Sequence, residues 1–312
     1  MTKQAAVPSG PGARVAPGPD GPRVARGAGA AGDAAVGASR AERSRAGVEP
    51  CPSPDVVDAR SVLLAPHPPH GHHPAGARWA DRDPATLEIA GLTPLSTCDW
   101  PGRLVATVFL QGCPWRCTYC HNQSILDPRT PGVIPWADVT ALLAKRHGLL
   151  DGVVFSGGEP TRQAALVEAC REVRDAGFLV GLHTSGAYPS RLAAVLPHVD
   201  WVGFDVKAPA RLYRDVTRVG TGTRTADVAF ASLRVLLDAV AARPLDGPPL
   251  EVQVRTTVDP TVLTPADVAE LTEVLAGLGV TDHVLQEARP DGTTAEYRHA
   301  LAAARARDTA TP

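Results

Sequence analysis

Three cysteines lie within eight residues in the stretch GCPWRCTYCHN, which spans positions 112–122. They are Cys113, Cys117 and Cys120, and His121 follows the last of them directly. Thiolates and imidazoles bind metals. The stretch could therefore attach a c-type haem, hold a zinc ion with all four side chains, or bind three irons of an iron–sulfur cluster. Each interpretation predicts a different protein, so residues elsewhere must decide between them.

The haem and zinc interpretations fit the sequence less well than the cluster. The first 80 residues contain no apolar signal-peptide segment, whereas covalent haem attachment normally follows export, and haem would leave Cys113 unused. A zinc site would need adjacent Cys120 and His121 on one ion, although neighbouring side chains point apart. Three thiolates from one loop can instead bind three irons of a [4Fe–4S] cluster and leave the fourth iron open. We favour that cluster, and we interpret His121 as a residue that shapes the loop.

Composition limits the partners of the chain. The 312 residues include 31 basic and 33 acidic side chains, with a net charge of −2, and 44% are apolar. This balance favours neither nucleic-acid binding nor a membrane role, and we expect a cytoplasmic protein with a substantial core. Residues 1–80 are rich in Ala, Gly, Pro and Arg without an apolar period, which predicts a disordered tail.

From about residue 87, short apolar runs alternate with amphipathic patterns. We predict strands over 104–112, 178–186, 200–209, 250–258 and 282–290, and a further short strand that enters a glycine turn within 151–160. Helices are predicted over 134–148, 163–177, 188–199, 225–243 and 264–279. This alternation indicates an α/β fold with a parallel sheet, in the form of a partial, open (β/α)6 barrel of the TIM type. We assign residues 87–292 to this core domain and 293–312 to a C-terminal helix or tail.

Polar motifs follow four of the predicted strands. They are the cysteine loop, SGGEP (156–160), HTSG (183–186) and DVKAP (205–209). The carboxyl ends of parallel strands meet at one edge of the sheet, so we expect these motifs to form a single site. Glycines at 157 and 158 let the backbone approach a ligand closely, and Glu159 supplies a negative charge for an ammonium group.

The C-x3-C-x2-C spacing, with aromatic Tyr119 before the last cysteine, resembles the signature of the radical S-adenosylmethionine (radical SAM) superfamily. Residues 87–290 are more specifically similar to the activating proteins of anaerobic ribonucleoside-triphosphate reductases, which are glycyl-radical-enzyme activases. The segments that carry this similarity are DWPG (99–102), YCHN (119–122), DGVVFSGGEPT (151–161), FDVKAP (204–209) and VRTTVDP (254–260).

The resemblance implies a reaction and its partners. S-Adenosylmethionine (SAM) would bind the open iron of the [4Fe–4S] cluster, and one electron would cleave it to a 5′-deoxyadenosyl radical. That radical would remove a hydrogen atom from a glycine Cα of the anaerobic ribonucleotide reductase. The electron would come from a flavodoxin- or ferredoxin-type donor.

The resemblance also implies roles for individual residues. Cys113, Cys117 and Cys120 match the cluster ligands and the catalytic centre. Positions that match SAM contacts are Tyr119, Gly157, Gly158, Glu159, Thr184, Ser185, Asp205, Lys207 and Arg255. Glu159 would receive the methionine amino group, Asp205 and Lys207 would lie near the ribose and carboxylate, and Arg255 would contact the carboxylate. His183 stands where the family usually has an aspartate, and imidazole is a poor ligand for an alkali cation, which makes a monovalent cation doubtful.

Other functions remain open at the level of sequence. The chain could be a radical SAM enzyme that acts on a small molecule, similar to 7-carboxy-7-deazaguanine synthase, or an activase of a different glycyl radical enzyme. A non-catalytic zinc or electron-transfer module is a third possibility. Iron content and SAM cleavage would separate the first two from the third.

Overall fold

The computed structural model describes residues 82–244 and 247–309. The tail predicted over residues 1–80 lies outside the described residues. Within the described part, no helix has the length and apolar character needed to cross a membrane.

In residues 82–244 and 247–309, seven strands form one sheet, in the same order as they occur in the chain. They are β1 (Ile89–Ser96), β2 (Val105–Leu110), β3 (Gly152–Gly157), β4 (Leu179–Thr184), β5 (Trp201–Asp205), β6 (Glu251–Val258) and β7 (His283–Glu287). β1 pairs with β2 in antiparallel fashion, and every later pairing is parallel. The six predicted strands correspond to β2–β7, so the α/β fold with a parallel sheet is confirmed. The strand β1 was not predicted.

Within the described residues, seven α-helices connect and follow the strands. They are α1 (Trp136–Ala144), α2 (Leu166–Asp175), α3 (Pro189–Val195), α4 (Tyr213–Thr217), α5 (Arg224–Ala241), α6 (Pro265–Gly277) and α7 (Ala295–Thr309). Crossovers between parallel strands are right-handed, and with strands in sequential order they bring the helices to the same face of the sheet. This is the arrangement of a barrel wall, with β1 and β7 at the two edges of the open sheet.

The two faces of the sheet carry separate apolar clusters. Val153 and Phe155 of β3 pack into the large core formed with the helices. Val154, which points to the opposite face, packs with Trp100 and Trp201. The two indole rings stack with their centroids 5.5 Å apart. The segment before β2 therefore covers the inner face of the sheet near the amino ends of β2, β4 and β5.

Candidate functional site

The cysteine loop after β2 (residues 112–122, the cluster loop) is held against α4. The backbone N–H groups of Arg116 and Thr118 donate 2.9 Å hydrogen bonds to the carbonyl oxygens of Thr217 and Val216. The last carbonyls of a helix have no partner within the helix. The carbonyl groups at the end of α4 therefore pair with N–H groups of the cluster loop, which explains how a five-residue helix can position the loop.

Cys113, Cys117 and Cys120 all carry free, partly buried thiols. Burial raises the pKa of each thiol, and it raises that of Cys117 to about 12 although the charge of Lys207 opposes the shift. The thiols are therefore protonated in the metal-free chain, and they must release protons when they bind metal.

The described residues contain no group of three or more His, Cys, Asp or Glu side chains arranged to hold one metal ion. In a cubane cluster each cysteine binds a different iron, so its sulfurs stand further apart than three ligands of a single ion do. The structure brings three sulfur donors together in one loop. Their joint ligation of a cluster stays a prediction.

The glycine turn at the end of β3 packs on the base of the cluster loop. Gly158 N donates to Leu110 O at 2.9 Å, and Glu159 N donates to Gly112 O at 3.0 Å. A Cβ atom on Gly158 would overlap the carbonyl group of Gly112, so a side chain at this position would push the turn away from the loop. The two motifs therefore form one continuous backbone surface.

Glu159 is fully buried, and both of its carboxylate oxygens accept hydrogen bonds. Oε1 accepts from Thr161 N at 3.1 Å, from Thr161 Oγ1 at 2.6 Å and from Thr184 Oγ1 at 2.7 Å. Oε2 accepts from Ser185 N at 2.9 Å and from Ser185 Oγ at 2.8 Å. The carboxylate thus ties the end of β3 to the end of β4. Direct contact of Glu159, Thr184 or Ser185 with SAM stays a prediction.

Asp205, at the end of β5, lies between two cations. Lys207 Nζ is 3.1 Å from Oδ2, and Arg255 Nε is 2.9 Å from Oδ1. Burial disfavours the charged carboxylate, but the two positive charges outweigh it and hold the pKa of Asp205 well below its usual range. Burial likewise acts against the charge of Lys207, but Asp205 keeps its pKa well above the ordinary value. The structure therefore joins three predicted site residues into one ionised group.

His183 lies on the other side of Arg255 and binds to the segment before β2. Its Nε2 is 2.7 Å from Asp99 O and its Nδ1 is 3.2 Å from Ser156 Oγ, so the neutral ring donates from Nε2 and accepts at Nδ1. Burial, together with the guanidinium of Arg255 at 3.2 Å from Nε2, lowers the pKa of His183 to about 4. Arg255 thus places a positive charge between His183 and Asp205. This is the region in which the sequence made a bound monovalent cation doubtful.

Tyr119 offers an unused polar atom at the centre of the site. Its side chain is 6% exposed, and its hydroxyl is one of the buried polar atoms without a hydrogen-bond partner in the described part of the chain. Lys207 Nζ lies 5.6 Å from the centre of its ring. Leaving a buried hydroxyl unpaired costs free energy, so this position fits a ligand that supplies a hydrogen-bond partner. Three thiols, a close glycine backbone and this hydroxyl are a donor set that fits an iron–sulfur cluster with SAM beside it.

The chain after β7 also reaches the cluster loop. His121 Nε2 is 3.3 Å from Arg289 O, which agrees with the interpretation of His121 as a loop-shaping residue. Sequence reasoning singled out neither α4 nor Thr118, although both hold the loop. The five residues of α4, YRDVT, are too few to show a helical period.

Comparison with known proteins agrees with this geometry. Residues 107–240 match the model of the Radical SAM superfamily, and that range contains the cluster loop, the glycine turn and Asp205. Over these residues, the chain is similar to the radical SAM superfamily. Over 136 residues, the chain is 32% identical to a "Putative glycyl-radical enzyme activating enzyme" of Methanocaldococcus jannaschii. This alignment covers 42% of this chain and 54% of the relative. Over 124 residues, the chain is 32% identical to the pyruvate formate-lyase-activating enzyme of Clostridium pasteurianum. This second alignment covers 38% of this chain and 52% of the relative.

The chain thus spans about half the length of these curated relatives. Among solved structures, a domain of pyruvate-formate lyase-activating enzyme from Bacteroides vulgatus is similar, with a TM-score of 0.35 and 16% identity. The similarity covers 50% of this chain and 93% of that one. A likeness of this size carries no argument about function.

Proposed function

We propose that this protein is a radical SAM activase that generates a glycyl radical on an anaerobic ribonucleoside-triphosphate reductase. The observation that carries the proposal is the meeting of three motifs at the carboxyl ends of β2, β3 and β5, namely the cluster loop, the glycine turn and the Asp205–Lys207 pair. The names of the two curated relatives support the activase class. The resemblance of residues 87–290 supports the reductase as partner. A cytoplasmic location and a flavodoxin- or ferredoxin-type electron donor are part of the proposal.

When bound, a [4Fe–4S] cluster and SAM would supply the one-electron chemistry that makes a 5′-deoxyadenosyl radical, which takes a hydrogen atom from a glycine Cα of the partner. Cys113, Cys117 and Cys120 would hold the cluster. Lys207, kept charged by Asp205, would attract the SAM carboxylate. Tyr119 would offer its free hydroxyl to the same ligand.

The cluster assignment is tested by SAM cleavage under oxygen-free, reducing conditions. The chain reconstituted with iron and sulfide should convert SAM to 5′-deoxyadenosine and methionine. Cys117→Ser should abolish this cleavage, because a hydroxyl is a much poorer iron ligand than a thiolate. Cys170→Ser is the matched control, since Cys170 is a free, buried thiol in α2, outside the site. Full cleavage by Cys117→Ser would overturn the assignment.

The partner is tested by adding the glycyl-radical subunit of an anaerobic ribonucleotide reductase. Electron paramagnetic resonance should then show a glycyl radical that depends on SAM and on the intact cluster loop. If a lyase or decarboxylase of the glycyl radical class acquires the radical and the reductase does not, the reductase is the wrong partner. If SAM is cleaved and none of them acquires a radical, the small-molecule alternative is favoured.

A further inference from the structure

Asp259 is a buried carboxylate that the proposed chemistry does not use, and it contacts the cluster loop. The residue directly follows β6 and is 0% exposed. Its Oδ2 accepts a 2.6 Å hydrogen bond from Thr118 Oγ1. Its Oδ1 accepts from Thr261 N at 3.0 Å, from Thr261 Oγ1 at 2.7 Å and from Tyr297 OH at 3.0 Å. A carboxylate with these hydrogen bonds joins the cluster loop to the turn after β6 and to α7.

We propose that Asp259 is a positioning residue, which holds the cluster loop through Thr118 in the shape that binds the cluster and SAM. Thr118 lies between Cys117, a proposed cluster ligand, and Tyr119, a proposed SAM contact. Its side chain is fixed by Asp259 and its N–H by the carbonyl of Val216. With both groups fixed, the peptide units that lead to Cys117 and Tyr119 have little freedom. The inference rests on the proposed function for the identity of these two ligands.

The surroundings of Asp259 explain why a carboxylate serves here. A buried charge is costly unless hydrogen bonds satisfy it. Three donors, from Thr261 and Tyr297, fix Oδ1 without any contribution from the cluster loop. Oδ2 is therefore already oriented when the loop docks, and a charge-assisted bond to Thr118 is stronger than a neutral one.

Two substitutions, each of which removes one hydrogen bond to Asp259, separate positioning of the cluster loop from simple support of the fold. Thr118→Val and Thr261→Val each replace a threonine with a valine of similar shape, and each removes one hydroxyl donor to Asp259. Both threonines are partly buried. Only Thr118 belongs to the cluster loop, so Thr261→Val is the matched control.

The first readout is amide hydrogen exchange in the metal-free chain. In Thr118→Val the amides of Thr118 and Cys120 should exchange about tenfold faster or more, because a hydrogen bond to a charged group is lost. Thr261→Val should leave those amides close to wild type. Thr118→Ser keeps the hydroxyl and should restore slow exchange. Amides of β2–β5 report whether each variant is folded. Equal loop exchange in the two valine variants, or wild-type exchange in Thr118→Val, would overturn the proposal.

The second readout is SAM binding by the reconstituted protein. Thr118→Val should raise the KM for SAM several-fold more than it lowers kcat, and Thr261→Val should change neither. Equal effects of the two variants on KM would also count against positioning. If the wild-type chain cleaves no SAM, the proposed function fails, but the exchange experiment still decides whether Asp259 holds the loop.

Discussion

Replacing Glu159 with glutamine should destabilise the fold strongly, because the carboxylate receives five hydrogen bonds in a fully buried position. Glutamine has one acceptor oxygen in place of two. With that oxygen on the side of Thr161 and Thr184, its NH2 group faces the N–H of Ser185. A donor then meets a donor, and the backbone N–H of Ser185 loses its acceptor.

The magnitude follows from these contacts. A buried N–H without an acceptor costs about 1–3 kcal/mol, and each retained bond becomes neutral and loses about 1 kcal/mol. Removing a buried charge returns part of this free energy. We therefore expect Glu159→Gln to lower the free energy of unfolding by about 3 kcal/mol.

The assay is urea unfolding of the metal-free, reduced chain, followed by circular dichroism. Glu287→Gln is the control, because the side chain of Glu287 is 93% exposed and its nearest cation, Arg305, is 3.9 Å away. The control should change the free energy of unfolding by less than about 0.5 kcal/mol. If Glu159→Gln is no less stable than Glu287→Gln, the five contacts of Glu159 do not join β3 to β4 as described.

Three further outcomes are expected from the residues around the site. Because the pKa of His183 is about 4 in the folded chain against an ordinary value of 6.5, the unfolded chain takes up the proton first. Protonation of this group should lower the free energy of unfolding by about 2 kcal/mol from pH 7 to pH 5. In His183→Asn, the free energy of unfolding measured with urea should change less over this pH range. An unchanged pH dependence in the variant would disprove the effect. Arg218 adopts a left-handed conformation with φ 58°, so Arg218→Gly should raise the free energy of unfolding by about 0.5 kcal/mol while Arg218→Ala leaves it unchanged. Since Arg255 lies between His183 and Asp205, replacing potassium ions with tetramethylammonium should not alter the rate of SAM cleavage. A several-fold loss of rate would instead reveal a cation site.

The parallel strands could be predicted because each is a short apolar run that ends in glycine or polar residues. β3, GVVFSG, shows this clearly, and its inner residues are fully buried. β1 escaped prediction because its sequence, IAGLTPLS, contains glycine and proline and shows no alternation. It forms nonetheless as an edge strand, where proline is tolerated, and its pairing with β2 shifts register twice.

The site could be located from the sequence, but the contacts within it could not. Residue types at strand ends placed the cysteine loop, Glu159 and Asp205 on one edge of the sheet. Which donor reaches which carboxylate depends on packing between distant segments. Thr118 and Asp259, for example, are 141 residues apart in the chain. The residue type and spacing of Glu159 do not show whether its carboxylate joins the ends of β3 and β4 or binds SAM.

The most direct test of activase function follows the hydrogen atom itself. The anaerobic ribonucleotide reductase would be prepared with Cα-deuterated glycine and incubated with the reconstituted chain, SAM and a one-electron reductant. If the chain is an activase, mass spectrometry should find one deuterium in 5′-deoxyadenosine, in an amount equal to the glycyl radical formed. Cleavage of SAM to 5′-deoxyadenosine that carries no deuterium would contradict hydrogen abstraction from the glycine of this partner.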